Sequence, residues 1–287
     1  MVVFDIGIYG YDKGMNSMKF ADLHLHTIFS DGTYTPEQLV SESIKAGLSA
    51  IAVADHDTVG GITPATEAAK GRGIEVLPAI ELSAEYAGRE VHILGYLIDQ
   101  SNGVLLEKLS FLKQNRVQRI YKIIAKLENM GISLKPEAVF ELARSGTVGR
   151  LHVARALVKE GLAADFSEVF QKYIGDRCPA YELGFKFTPR QAIDLIKQAR
   201  GIPVLAHPYT VNDDGMLEEI VGCGIMGLEI YYPEHSQSLQ NFYLDFAKRH
   251  NLLATGGSDC HGEAKSEIKI GSIKVPYPLI EKLKAAR

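Results

Sequence analysis

The chain has 287 residues, 46% of them hydrophobic and 23% charged, an ordinary balance for a soluble globular protein that excludes disorder, collagen and coiled coil as global descriptions. Its net charge of −4 argues against a nonspecific nucleic-acid coat, which needs a basic face, but leaves room for a nucleotide in a local basic pocket. No apolar run approaches the roughly 18 residues of a membrane span, and three scattered cysteines, Cys178, Cys223 and Cys260, fit a reducing cytoplasm better than a disulfide scaffold or a thiolate zinc site.

Residues 1–17 precede Met18 and lack the basic-then-apolar order of a signal peptide, so they are expected to be an extension outside the core fold. Lys19–His26 reads as a strand. Thr35-Pro36-Glu37-Gln38 is a helix start, with Thr as N-cap, Pro at the first helical position and Gln positioned to reach back. Ala50–Ala54 is all apolar, as expected of a strand buried on both faces. A helix over Pro64–Lys70 and strands over Glu75–Ile80 and Glu90–Ile98 follow. This β-α-β-α-β rhythm predicts a parallel sheet.

The rhythm then breaks. Val104–Met130 carries apolar residues near helical spacing, and Pro136–Arg144, Arg150–Glu160 and Asp165–Tyr173 read as further helices. An all-helical subdomain over 101–182, inserted into an α/β unit made of 18–100 and 183–287, is the expected organisation. Thr188-Pro189-Arg190-Gln191 repeats the helix-start signal. Helices over Ala192–Ala199 and Ser238–His250 alternate with strands over Ile202–Ala206, Gly227–Tyr231 and Leu252–Thr255. About seven strands favour a closed or nearly closed α/β barrel. No G-x-G-x-x-G follows the first strand, so a dinucleotide fold has no support.

Six of the nine histidines fall at or just past strand C-terminal ends, where barrel active sites are built: His24, His26, His56, His92, His207 and His261. Asp22, Asp31, Asp55, Asp57, Glu81 and Asp259 accompany them. Nitrogen and oxygen donors converging on one rim suit divalent zinc, manganese or iron. In His24-Leu25-His26 the two imidazoles share one strand face. Asp259-Cys260-His261 repeats the spacing with mixed donors, and Glu81 is placed to bridge two ions. His235 and His250 fall in loop and helix and are expected at the surface.

Asp22-Leu23-His24-Leu25-His26-Thr27 with Ser30-Asp31-Gly32 resembles the first motif of the PHP (polymerase and histidinol phosphatase) family. Asp55-His56-Asp57-Thr58, Pro78-Ala79-Ile80-Glu81, His92-Ile93-Leu94-Gly95-Tyr96, Ala206-His207-Pro208 and Gly257-Ser258-Asp259-Cys260-His261-Gly262 resemble the others, in order. The resemblance implies a distorted (β/α)7 barrel carrying two or three divalent metals. It would place His24, His26, Glu81 and Asp259 on the first, Glu81, His92 and His207 on the second, and Asp31, His56 and His261 on the third. Cys260 stands where relatives often have an aromatic residue, and Asp31 where many have histidine. Asp55 is expected to orient histidine ligands, and Asp57 either to do the same or to stabilise a turn with Thr58.

The helical block resembles that of bacterial members acting on nucleoside 3′,5′-bisphosphates and short RNA 5′ ends. Gly149-Arg150-Leu151-His152 resembles a recurrent motif there and makes Arg150 and His152 candidate substrate residues at a helix start. The implied activity is metal-dependent phosphate-ester hydrolysis by a metal-activated water, with His207, Asp259 and Glu81 central to catalysis. The substrate would be a small nucleotide or short RNA, with no extended nucleic-acid surface and no membrane. Histidinol phosphate or another small metabolite is the alternative substrate. A non-catalytic metal-binding domain is the alternative of another class.

Overall fold

The computed structural model describes residues 18–143, 146–211 and 213–287; the expected extension 1–17 and Arg144, the end of one expected helix, lie outside them. Eight strands form one sheet: β1 (Phe20–Leu25), β2 (Ala50–Val53), β3 (Glu75–Tyr86), β4 (Arg89–Tyr96), β5 (Ile202–Leu205), β6 (Gly227–Tyr231), β7 (Leu253–Gly256) and the two-residue β8 (Val275–Pro276). Their order is β7-β6-β5-β4-β3-β2-β1-β8. Past β7 the chain runs beside β1, with Asp259 N–H donating to the His24 carbonyl (2.8 Å) and His26 N–H to the Cys260 carbonyl (3.2 Å). The sheet thereby curls into a nearly closed α/β barrel.

The expectation of a parallel sheet is only partly met. β1–β2–β3 and β5–β6–β7 are parallel, but β4 runs antiparallel to both β3 and β5, and β8 antiparallel to β1. The reason is local. No crossover helix separates β3 from β4, so they can only form a hairpin. Its two-residue turn is Ala87-Gly88, both at positive φ (49° and 78°), as the strand twist requires. β3 therefore extends six residues beyond the expected Ile80.

Helices α1 (Pro36–Lys45) and α2 (Ile62–Ala69) cover the first strands, and α7 (Pro189–Gln198), α8 (Asp214–Gly222), α9 (Gln237–Arg249) and α10 (Tyr277–Ala285) cover the rest. α8, α10 and β8 were not foreseen. Both T-P-x-Q starts make reciprocal caps: Gln38 N–H donates to Thr35 Oγ1 at 3.2 Å and Thr35 N–H returns to Gln38 Oε1 at 2.9 Å, with the same pair of bonds between Thr188 and Gln191. Helices α3 (Gly103–Asn129), α4 (Pro136–Ala143), α5 (Arg150–Lys159) and α6 (Phe166–Val169), the last continuing as a single π turn over Phe170–Ile174, pack around an apolar cluster of their own that includes Ile123, Leu127, Val153 and Leu157.

Strand alternation divides the barrel residues. Ala50, Ala52, Leu77, Ala79, Leu94, Tyr96 and Val204 share one cluster inside, while Ile51, Val53, Ile80, Ile93 and Leu205 face the helices. In β1 the alternation changes phase. The register with β2 shifts between Asp22 and Leu25, so Ala21 and Leu23 lie with the interior cluster but Leu25 lies outside. The extra residue turns His24 and His26 inward, the re-aiming that bulges commonly provide beside active sites. Asp22 is left on the other face, where it accepts Ser258 N–H (2.8 Å) and Gly271 N–H (2.9 Å) and ties β1 to the segment after β7.

Gly257 sits in that seam, and a Cβ there would meet the His24 backbone N and Cβ at 2.4 Å. Gly257→Ala should therefore push β1 away and cost at least about 2 kcal/mol, lowering Tm by about 5 °C. Thermal denaturation checks this, and an unchanged Tm would show that the seam is loose.

Candidate active site

Glu81, at the middle of β3, is fully buried and surrounded by imidazoles. His24 Nε2 (3.1 Å), His26 Nε2 (3.3 Å) and His56 Nδ1 (3.2 Å) face its Oε2, while His92 Nδ1 (2.9 Å) and His207 Nε2 (3.1 Å) face Oε1. The pairing of β3 with β4 explains part of this. Glu81 lies opposite Leu94 and Ser83 opposite His92, so Glu81 and His92 project from the same face of neighbouring strands. His56 joins through a single bridge between the end of β2 and Glu81.

Asp259 forms the second focus. Its Oδ1 lies 3.0 Å from His26 Nε2 and 3.5 Å from both His24 Nε2 and His261 Nδ1. Its Oδ2 accepts from Lys265 Nζ (2.8 Å) and Tyr232 O–H (2.9 Å). That division turns one carboxylate oxygen toward the histidines and holds the other away. Asp31 lies across the rim, with Oδ1 3.3 Å from His261 Nε2. Asp57, His207 and Asp259 all have positive φ (51°, 27° and 55°), a conformation costly for these residue types that the surrounding contacts must maintain.

Three sets of donor atoms lie within 4.8 Å of one another: His24, His26, Glu81 and Asp259; His26, Asp31, His56 and His261; and His56, Glu81 and His92. In the third, His56 stands with Glu81 and His92, while His207 Nε2 lies 3.1 Å from the same Glu81 Oε1 that His92 faces. Metal ions fit these sets on the chemistry of the rings. A neutral imidazole carries one N–H, yet His24, His26, His56, His92 and His261 each face carboxylates from both ring nitrogens. One nitrogen of each would direct a lone pair at an anion unless a cation intervenes. His26 Nε2, His56 Nδ1 and Asp31 Oδ1 are buried and make no hydrogen bond.

Without such ions the charges settle on the rings unevenly. Burial alone would lower His26 and His92, but the adjacent carboxylates, Asp259 and Glu81 for His26 and Glu81 and Glu90 for His92, raise them to about 9 and about 10. Burial dominates at His56, which falls to about 3. Glu81, Asp31 and Asp259 are held well below the usual carboxylate range: burial opposes this, and the neighbouring imidazoles, with Lys265 for Asp259, outweigh it.

Several residues in this arrangement were not singled out from the sequence. Glu229, buried in β6, accepts from His24 Nδ1 (3.0 Å) and from the His207 backbone N–H (2.8 Å). Its signal was a lone acid at the centre of the apolar strand Gly227-Leu-Glu-Ile-Tyr231. Glu90 accepts from His92 Nε2 (3.1 Å), Lys186 Nζ (2.7 Å) and Arg150 Nη2 (3.1 Å). Here the signal was spacing, since Glu90 and His92 share a strand face. Arg116, Arg119, Lys186 and Lys265 come into the site only through the fold.

Other expectations are corrected. Neither Asp55 nor Asp57 holds a histidine directly. Asp55 accepts from Thr27 N–H and O–H (both 2.7 Å) and Ser30 O–H (2.6 Å), fixing the loop after β1. Asp57 accepts from Ser83 N–H (3.0 Å) and from the Arg116 guanidinium of α3. His235 is buried rather than at the surface, with Nδ1–H donating to the Ile230 carbonyl at 2.7 Å and its ring among Tyr232 and Tyr243. His250 is half-buried beside Glu218. His152 is also buried: its Nδ1 accepts Gly149 N–H (3.2 Å), stabilising the start of α5. Among the two candidate substrate residues the structure brings only Arg150 to the cavity wall.

That cavity, about 420 Å³, opens beside the donor cluster. Asp31, His56, His92 and His261 line one side, and Arg116, Arg119, Arg150, Lys186 and Lys265 supply five cationic side chains. Burial first, then Arg150 and Arg116, lower Arg119 to about 10, and its Nη2 is buried without a hydrogen-bond partner. Arg116 is paired with Asp57 and Arg150 with Glu90 and Asp176, while Arg119 has no carboxylate partner among the described residues.

Residues 22–175 match the PHP domain family. The 5′-3′ exoribonuclease Rnm of Escherichia coli K12 is 34% identical over 247 residues, 84% of each chain. The 3′,5′-nucleoside bisphosphate phosphatase of Chromobacterium violaceum is 30% identical over 256 residues, 87% of this chain and 90% of its own. A solved structure from Bifidobacterium adolescentis, named as a metal-dependent phosphoesterase, superposes with a TM-score of 0.85 at 30% identity, covering 92% of this chain and 95% of its own. With the clustered histidines and carboxylates beside a cationic cavity, these likenesses establish that the chain belongs to the PHP domain family and is a metal-dependent phosphoesterase.

Proposed function

We propose that this enzyme removes a phosphate from nucleotides that carry a second phosphate, either nucleoside 3′,5′-bisphosphates or the 5′ ends of short RNA. The carrying observation is the single cavity in which metal-donor residues and five cationic side chains face each other. One phosphate can reach the donor cluster while another lies among Arg116, Arg119, Arg150 and Lys186. The names of the Escherichia and Chromobacterium relatives support the same substrate class. A small solvated monoester would leave most of these cations unused.

In this reading 18–100 and 183–287 form the metal-binding barrel, and 101–182 is an inserted helical block that supplies Arg116, Arg119 and Arg150. His24, His26, Glu81 and Asp259 hold one ion. Glu81 and His92, with His56 and His207 beside them, hold a second, and Asp31, His56 and His261 a third, with manganese, zinc or iron as the candidates. Such ions supply a water of lowered pKa and neutralise phosphoryl oxygens. The protein residues do the rest. Glu229 and Glu90 orient His24 and His92, while Tyr232 and Lys265 orient Asp259. Glu90 keeps Arg150 and Lys186 pointed into the cavity, where an entering phosphate competes for them. No described helix is long and apolar enough to cross a membrane, and the three cysteines are free; a reducing cytoplasm is the compartment we assign.

The reading is tested by phosphate release from adenosine 3′,5′-bisphosphate, AMP and histidinol phosphate, with manganese and with EDTA. Release should require metal and favour the bisphosphate over AMP by about 10-fold or more in kcat/KM, the gain expected from one charge-assisted phosphate contact. Preference for histidinol phosphate would overturn it. Asp259→Ala and His207→Ala should each lower kcat at least about 1000-fold with unchanged far-UV circular dichroism; wild-type turnover would remove these residues from the metal site. Arg150→Ala should raise KM for the bisphosphate about 10-fold and leave that for AMP nearly unchanged. Equal effects on both would place Arg150 in scaffolding alone.

A further inference from the structure

The cationic cavity has one wall that charge does not explain. The segment after the helical block, Tyr181–Phe187, is pinned at its end: Glu85 N–H donates to the Phe187 carbonyl at 2.7 Å, and Phe187 is only 6% exposed. Lys186 turns into the cavity toward Glu90. Phe185, one residue earlier, also lines the cavity but stays 45% exposed. Phe111 of α3, equally exposed, meets it nearly edge to face at 5.0 Å and 85°, and Phe187 meets it from within at 5.6 Å and 84°. A large ring braced on two sides yet left wet has forgone its hydrophobic gain. It does so at the rim of a pocket built for phosphates.

We propose that Phe185, braced by Phe111, is the stacking platform for the base of the nucleotide whose phosphates occupy the cavity. The proposal rests on the nucleotide reading above and adds the element that separates a nucleotide from any other polyphosphorylated ester. The chemistry matches on both counts. Phosphates are drawn by Arg119, Arg150 and Lys186, and a flat base covers the exposed ring face that water now occupies. Because every base offers a π face, the platform selects for the presence of a base and not for its identity.

Two measurements test it. The first is the ratio of kcat/KM for adenosine 3′,5′-bisphosphate to that for the corresponding 3′,5′-bisphosphate with no base. Phe185→Ala should reduce this ratio by about 5- to 150-fold, the range of one lost stacking contact, and Phe185→Trp should restore it. The second needs no turnover. The chain contains no tryptophan, so Phe185→Trp introduces a single reporter. Adenosine 3′,5′-bisphosphate in EDTA should quench its emission, and the base-free ester should not. A ratio unchanged by Phe185→Ala, or equal quenching by both esters, overturns the platform while leaving the nucleotide reading intact. Failure of the wild-type enzyme to hydrolyse the adenosine ester in the phosphate-release assay overturns both.

Discussion

A carboxylate at the centre of a barrel is the constraint on which this structure depends. Glu81 is fully buried, and burial of a charged group is tolerated only when partners replace its water. Five imidazoles do so, from four places in the chain: two from the bulged end of β1 and one each from the segment after β2, from β4 and from the turn after β5. Four of those rings also face a carboxylate on the far side: Glu229 for His24, Asp31 for His26 and His56, and Glu90 for His92. The donor cluster is thus a layered arrangement in which anions and imidazoles alternate, and it leaves places for divalent cations between them.

Backbone geometry serves that arrangement. The register shift in β1 brings His24 and His26 inward, positive φ at His207 and Asp259 turns two further donors to the rim, and the hairpin between β3 and β4 sets Glu81 beside His92. Gly257 lets the segment after β7 approach β1 closely enough for Asp259 to stand with His24 and His26. The departures from a regular parallel barrel are concentrated where the donors are. Regular alternation would have placed His24 and His26 on the helix-facing side with Leu25 inside.

The helical block connects to the same chemistry through charge. Arg116 reaches across to Asp57, and Arg150 and Lys186 share Glu90, which also holds His92. The side chains that would grip phosphate are therefore joined to a metal-donor histidine through one carboxylate. In the proposed reading, a phosphate entering among these cations would compete with Glu90 for Arg150 and Lys186. The cavity cations and the donor cluster are thus joined in one hydrogen-bonded network, shared between two sets of helices and strands.

The sequence by itself determined most of the elements, the two capped helix starts, the run of helices between β4 and β5 and the placing of histidines at strand ends, because these follow from local periodicity and from the pattern of side chains on strands. It also carried the six motifs of the family. Tertiary structure alone decided the rest. Whether β4 runs parallel or antiparallel depended on a two-residue turn, Ala87-Gly88, without the Asn-Gly or Asp-Gly signal that announces such hairpins. The inward face of β1 depended on a bulge that period-two reading cannot see. Glu229, Glu90 and Lys265 acquired their roles from partners far away in the chain or across a bend. His152 and His235, polar in the sequence, proved buried, each held through Nδ1 by one backbone partner where the fold encloses it. Phe185 is an ordinary aromatic residue in the sequence; only the closing of the helical block over the rim sets it, half-exposed, against the cationic cavity.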